Sequence, residues 1–290
     1  MKKVFIAGCG YIGERLARIF HEQGCHVSCV VRSPERREKL SQAGYDTVAV
    51  SLDDASSIPR LPVAGNTAYY LVPPPGGGTR DTRAANFIEA LSCGERPSKI
   101  IYMSATSVYS EVSGGVVTED SPTHPASAMG KRRLDAEATF RRYGGLNGVP
   151  VVILRVSGIY GPGRLPLMQI SQGQPLLRED ESGPSNRIHA DDLAMVCVAA
   201  AEKGVHGDIF NVSDGQPTSM THYFNACADA LGLPRQPQVT LEEAGRVMSP
   251  LMLSYVRETR IVDNLKMMEL LGTGLRYEVL AEGIEQAVRT

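Results

Sequence analysis

The chain has 290 residues, 42% of them hydrophobic, enough for one large α/β domain or a large domain with a smaller lobe. Its 30 Lys and Arg nearly cancel its 32 Asp and Glu, and no run of one sign is long enough to form a polyanion-binding stripe, which argues against nucleic acid as a partner. The six cysteines (Cys9, Cys25, Cys29, Cys93, Cys197 and Cys227) are too scattered for a zinc ribbon or a disulfide framework, so they read as free thiols of a cytoplasmic protein that binds no metal.

The first apolar run, 4–8, is shorter than the roughly 7–15 residues an export signal needs, and no segment is long enough to span a bilayer. It reads instead as the first of six buried strands, at 4–7, 26–31, 47–50, 68–72, 99–104 and 151–156. Amphipathic stretches at 11–23, 34–43, 81–92 and 126–143 separate them as helices. Strand and helix alternating in this way predict an α/β fold of the Rossmann type, a doubly wound parallel sheet with right-handed crossovers.

After Tyr160 the texture changes: Gly161, Pro162, Gly163, Pro166, Gly173, Pro175, Gly183 and Pro184 interrupt any periodicity and suggest a loop-rich lobe beside the sheet. Helices are expected at 191–203 and 219–231, a strand at 209–212, and short helical stretches at 263–271 and 279–287. The expected division is a sheet domain over 1–163, to which 187–213 returns, and a smaller C-terminal substrate lobe over 164–290.

Gly8, Gly10 and Gly13 form G-x-G-x-x-G directly after the first strand and before the first helix. Gly8 permits the tight turn, Gly10 lets backbone approach a pyrophosphate, and Gly13 lets helix pack close to strand. The amides at Tyr11, Ile12 and Gly13 then offer free donors and a partial positive charge to the phosphates. A purely structural glycine turn is the competing reading, weakened by the strand-turn-helix context.

About 20 residues further on, where a carboxylate would grip the ribose hydroxyls of NAD, stand Arg32 and Ser33. A guanidinium suits a 2′-phosphate, so NADP is expected ahead of NAD, with Arg36 either helping or lying on a solvated helix face. Val72 begins the Pro73-Pro74-Pro75-Gly76-Gly77-Gly78 segment at the carboxyl edge of the fourth strand, which reads equally as a flap over the cofactor or an irregular loop.

Together with Ser104 to Tyr109, Leu154-Arg155, Ile159 to Pro162, Arg187 to Ala194 and Phe210-Asn211-Val212, these residues resemble the extended short-chain dehydrogenase/reductase superfamily, the NAD(P)-dependent epimerases and dehydratases that include UDP-glucose 4-epimerase. The resemblance runs the length of the chain and implies a homodimer acting on a small hydroxylated, sugar-like molecule. In this superfamily a Ser/Thr, a Tyr and a Lys four residues after the Tyr move the substrate proton. Laid on that pattern, the chain has Ala105, Met129 and Arg133 at the three positions.

Met has no titratable proton, Ala has no hydroxyl, and Arg stays charged. Arg133 can still donate to a cofactor ribose, whereas Lys131 lies about 200° round the helix from Met129. Ser104, Thr106 and Tyr109 are the remaining hydroxyls for a catalytic role. Arg164 and Arg187 are candidates to meet a substrate anion; His189 is expected beside the substrate, orienting a loop through hydrogen bonds. Two outcomes stay open: an atypical NADP-dependent oxidoreductase, or an NADP-binding sensor or scaffold without turnover.

Overall fold

A computed structural model describes residues 2–92 and 94–289, so Cys93 lies outside the described residues. In chain order the first half runs β1 (Lys3–Ala7), α1 (Tyr11–Glu22), β2 (His26–Val31), α2 (Pro34–Gln42), β3 (Asp46–Ala49), β4 (Thr67–Tyr70), α3 (Thr82–Ser92), β5 (Lys99–Ala105), β6 (Ser113–Val117), α4 (Ala128–Asn147) and β7 (Val151–Val156). The second half adds β8 (Gly158–Tyr160), α5 (Leu167–Ser171), β9 (Leu176–Leu177), β10 (Pro184–Ser185), β11 (Arg187–His189), α6 (Ala190–Lys203), β12 (Ile209–Val212), β13 (Thr218–Ser219), α7 (Met220–Leu231), β14 (Gln238–Val239), α8 (Leu241–Val247), α9 (Pro250–Arg257), β15 (Thr259–Val262), α10 (Leu265–Leu271) and α11 (Leu280–Arg289).

Seven strands form one parallel sheet in the order β12-β7-β5-β4-β1-β2-β3. The expected doubly wound sheet is present, widened by β12, which pairs with β7 from Ile209 opposite Ile153 to Val212 opposite Val156. Both faces are covered, which is why β1 and β7 are almost wholly apolar rather than alternating. On one face α1 and α6 pack over Ile6, Tyr69, Ile101, Val152 and Leu154, and Met267 and Leu271 of α10 join the same core. On the other, α3 and α4 cover an aromatic cluster of Phe5, Tyr70, Phe87, Tyr102 and Phe140.

A third core, built on Tyr160, Ile170, Leu176, Tyr223, Phe224, Cys227 and Ile284, holds the C-terminal lobe. Small two-stranded pairs, β8 with β11, β9 with β14, β10 with β13 and β6 with β15, lie outside the seven-stranded sheet. The five described cysteines are buried free thiols. No described helix is long and apolar enough to cross a membrane, and no group of metal-ligating side chains occurs among the described residues.

Helix α4 begins two residues later than the 126–143 pattern suggests because Ser127 caps it, its Oγ accepting from the Gly130 amide at 3.3 Å. It runs on to Gly148, whose φ of +64° stops it. Its start is seated by Gly130, where a Cβ would lie 2.2 Å from the Ser107 carbonyl oxygen. That close approach sets where Met129 and Arg133 fall relative to the end of β5.

Candidate functional site

The strand order reverses between β1 and β4, and a groove opens there along the carboxyl edge of the sheet. Its volume is about 480 Å³, and it is lined from Arg32, Arg36 and Ser51 to Asp53 at one end, past Gly8 to Gly13 and Val72, to Met103, Arg133, Ile159 and Arg164 at the other. All the cofactor-binding residues expected from the sequence line it except Ser33.

The glycine turn is built for close approach. Gly8 has φ +88°, and a Cβ there would sit 3.0 Å from the Val72 side chain and amide. At Gly13 a Cβ would press to 2.7 Å from the Gly8 carbonyl oxygen, whereas at Gly10 it would meet only that oxygen, at 3.9 Å, so Gly10 faces open space. Glu14 N donates to Gly10 O at 2.8 Å, and the amides of Tyr11, Ile12 and Gly13 precede that first helical bond, free for an acceptor in the groove. A cradle that a side chain would fill, beside a helix start with unspent donors, fits a dinucleotide diphosphate.

At the β2 end, Arg32 is exposed and free of ion pairs among the described residues. Ser33 instead caps α2, its Oγ accepting from Arg36 N at 3.3 Å. Arg36 donates to the Cys9 carbonyl at 3.1 Å and pairs with Glu14, so it braces the glycine turn. Sequence reasoning missed Asp53 and Arg83, which face each other in a bidentate pair at 2.6 and 3.0 Å. The Arg83 hydrogen bond holds the Asp53 carboxyl below the usual aspartate range. Arg83 also donates to the Pro73 carbonyl at 3.1 Å and Arg132 to the carbonyls of Gly77 and Gly78, so two guanidiniums tie down the proline-glycine segment.

At the opposite end Arg133 donates from Nη1 to the Met103 carbonyl at 2.9 Å. Its guanidinium lines the groove, where it fits a ribose hydroxyl. Met129 stands one turn earlier on α4, 43% exposed, and Ala105 ends β5.

The structure does not bring the expected catalytic hydroxyls to this groove. Ser104 is buried and donates to Glu137 at 2.7 Å; Glu137 in turn receives Arg155 through Nε at 3.1 Å and Nη2 at 3.0 Å. Tyr109, 1% exposed, donates to Asn211 Oδ1 at 2.5 Å and accepts from Arg155 Nη1 at 3.1 Å. Burial raises its phenol pKa, the nearby Arg155 opposing only in part. Both hydroxyls are therefore spent inside the protein. Thr106 lies half-buried in the single helical turn after β5, its carbonyl accepting from Arg260 at 2.8 Å, and it too lies off the groove.

Of the substrate-side candidates, only Arg164 lines the groove. Arg187 turns into the lobe, 7% exposed, stacked 3.9 Å above the Tyr223 ring and bonded to Ser185 Oγ at 2.7 Å. His189 is fully buried, its Nδ1 accepting from Asp191 N at 3.2 Å as the cap of α6 and its Nε2 facing Gln286 Oε1 at 3.1 Å. Burial lowers its pKa, which favours the neutral ring that such a cap requires. It orients a loop and the C-terminal helix, away from the groove.

A doubly wound sheet carrying a glycine cradle at its switch point defines a dinucleotide-binding protein of the epimerase/dehydratase type. The NAD dependent epimerase/dehydratase family model matches residues 4–213, and the chain belongs to that family. Among curated proteins it is similar to Protein YeeZ of Escherichia coli K12, 27% identical across 80% of this chain and 85% of that one. It is also similar to the UDP-glucose 4-epimerase of Corynebacterium glutamicum, 27% identical across 84% of this chain and 85% of that one. Among solved structures, a functionally unknown conserved protein from Silicibacter pomeroyi superposes with a TM-score of 0.85 at 26% identity, covering 100% of this chain and 99% of that one. The UDP-glucuronic acid 4-epimerase of Bacillus cereus, solved with NAD, shares the fold at a TM-score of 0.78 and 21% identity over 99% of this chain and 97% of that one.

Proposed function

We propose that this chain is an NADP-binding oxidoreductase of the epimerase/dehydratase type that acts on a small hydroxylated, sugar-like substrate through a degenerate form of the family's Ser-Tyr-Lys site. The observation that carries it is the groove itself: an open glycine cradle with Arg32, rather than a carboxylate, at the tip of β2. The amides of Tyr11 to Gly13 would hold the diphosphate, Arg133 a ribose hydroxyl, and Arg32 the 2′-phosphate. A bound nicotinamide supplies hydride chemistry. The chain's part is to seat it and to exclude side reactions.

Proton transfer is where this chain departs from its family. Met129 and Ala105 carry no transferable proton, Arg133 stays charged, and Ser104 and Tyr109 are committed to Glu137 and Asn211. The substrate proton therefore passes directly between substrate and water. A second reading, an NADP-binding sensor without turnover, is favoured by that same commitment of both hydroxyls.

NADPH absorbance followed against a panel of keto sugars decides between the two. Oxidation at a rate nearly flat from about pH 6 to 9 supports the first, because Met129 and Ala105 leave no proton-moving side chain at the family's Tyr and Ser positions. Saturable NADPH binding with no oxidation across the panel establishes the second.

A further inference from the structure

Among the described residues five arginines line the groove, and Asp53 is the only carboxylate lining it. Arg36 is paired with Glu14 and Arg83 with Asp53, while Arg32 stands at the β2 end. Arg133 and Arg164 flank Met103 and Ile159 at the other end, and neither has a carboxylate within ion-pair reach among the described residues. In the sheet, β2 and β5 are three strand positions apart, so the two ends are separated by about 14 Å.

Arg164 is held in place without spending its donors. Its amide closes the turn onto the Gly161 carbonyl at 3.0 Å, and its guanidinium lies 5.2 Å from the centre of the Tyr11 ring. Tyr11 is itself pinned, its hydroxyl donating to the Pro162 carbonyl at 2.9 Å and Arg15 stacking on its ring at 4.1 Å. Arg133, which also lines the groove, spends Nη1 on the Met103 carbonyl. An exposed guanidinium such as Arg164, facing the cavity with its donors unspent, suits a carboxylate, which it can meet with a fork of hydrogen bonds.

We propose that Arg164 forms a carboxylate site at the Met103 and Ile159 end of the groove, so that the small hydroxylated substrate carries a carboxylate. This rests on the groove being the dinucleotide site. The phosphates of the dinucleotide are the competing anion, but the helix-start amides already serve them, and Arg164 sits on the 161–164 loop that leads into the C-terminal lobe.

The test is calorimetric titration of benzoate, and of its neutral analogue benzamide, into the NADP-saturated full chain and into Arg164→Gln. The expected result is saturable benzoate binding at least about tenfold tighter than benzamide, lost in Arg164→Gln while NADP affinity stays within about twofold. Equal binding of benzoate and benzamide, or unchanged benzoate binding in the variant, overturns the proposal. A fall in NADP affinity in the variant also overturns it, by giving Arg164 to the cofactor phosphates. If the wild-type chain binds no NADP, the cofactor reading fails by itself, and the same two titrations on the free protein still decide the carboxylate site.

Discussion

Tyr109 donates its phenolic proton to Asn211 Oδ1 at 2.5 Å, from the turn after β5 to β12, which lies two strands away across β7. The bond ties the turn after β5 to the strand that widens the sheet, and Arg155 joins it from β7. Tyr109→Phe removes the donor and leaves Asn211 and Arg155 each short of a partner inside the protein. The expected loss is about 1–3 kcal/mol of folding stability, read by chemical denaturation, with NADPH affinity and any turnover per folded molecule unchanged. A variant of normal stability that had lost turnover would make Tyr109 catalytic after all.

The glycines separate a folding role from a binding role. Gly13→Ala drives a Cβ to 2.7 Å from a backbone oxygen, so it is expected to lower the melting temperature. Gly10→Ala meets nothing closer than 3.9 Å in the protein, so it is expected to melt normally but to lose dinucleotide binding, because its methyl enters the space where the diphosphate approaches. Thermal melts and cofactor titrations on both variants check the contrast.

Asp214 offers a test by pH. It is 6% exposed, with Oδ1 accepting from Gln216 N at 3.0 Å, and burial pushes its carboxyl up to about 6. A carboxyl raised in the folded state favours folding while protonated, so this contribution is complete below its unfolded value of about 4 and is lost as pH rises through about 6. Asp214→Asn keeps the accepting oxygen and removes the charge. It should be more stable than the wild type by about 3 kcal/mol at neutral pH, with the advantage vanishing near about pH 4. Denaturation curves at the two pH values give the answer.

Much of this molecule is legible in the sequence, for identifiable reasons. The strands at 26–31, 151–156 and 209–212 have the observed bounds because short, nearly continuous apolar runs between breakers leave little choice of register. The glycine turn was equally plain, since its residues are adjacent in the chain. By contrast Asp53 and Arg83 are separated by 30 residues and meet only because β3 and α3 flank the same groove. Tyr109 and Ser104 looked available because each is close in sequence to the altered catalytic positions. Only the fold shows that Asn211, 102 residues away from Tyr109, and Glu137, 33 away from Ser104, occupy them. Arg187 and Arg164 were indistinguishable as sequence, and their fates are set by whether a tertiary neighbour, Tyr223 or Tyr11, draws the guanidinium inward or holds it over the groove.

In the proposed function the choice of cofactor hangs on one exposed side chain, Arg32. Arg32→Gln should weaken NADP by about tenfold or more while leaving NAD within about twofold, since a charge-assisted bond to a phosphate is worth about 1.5–3 kcal/mol.

Side-by-side calorimetric titration of the purified chain with NADP and with NAD tests the central claim most directly. The geometry of the glycine cradle and Arg32 predicts saturable one-to-one binding of both, with NADP tighter by about tenfold. NAD binding more tightly than NADP would contradict the cofactor assignment, and no heat from either would contradict the groove as a dinucleotide site.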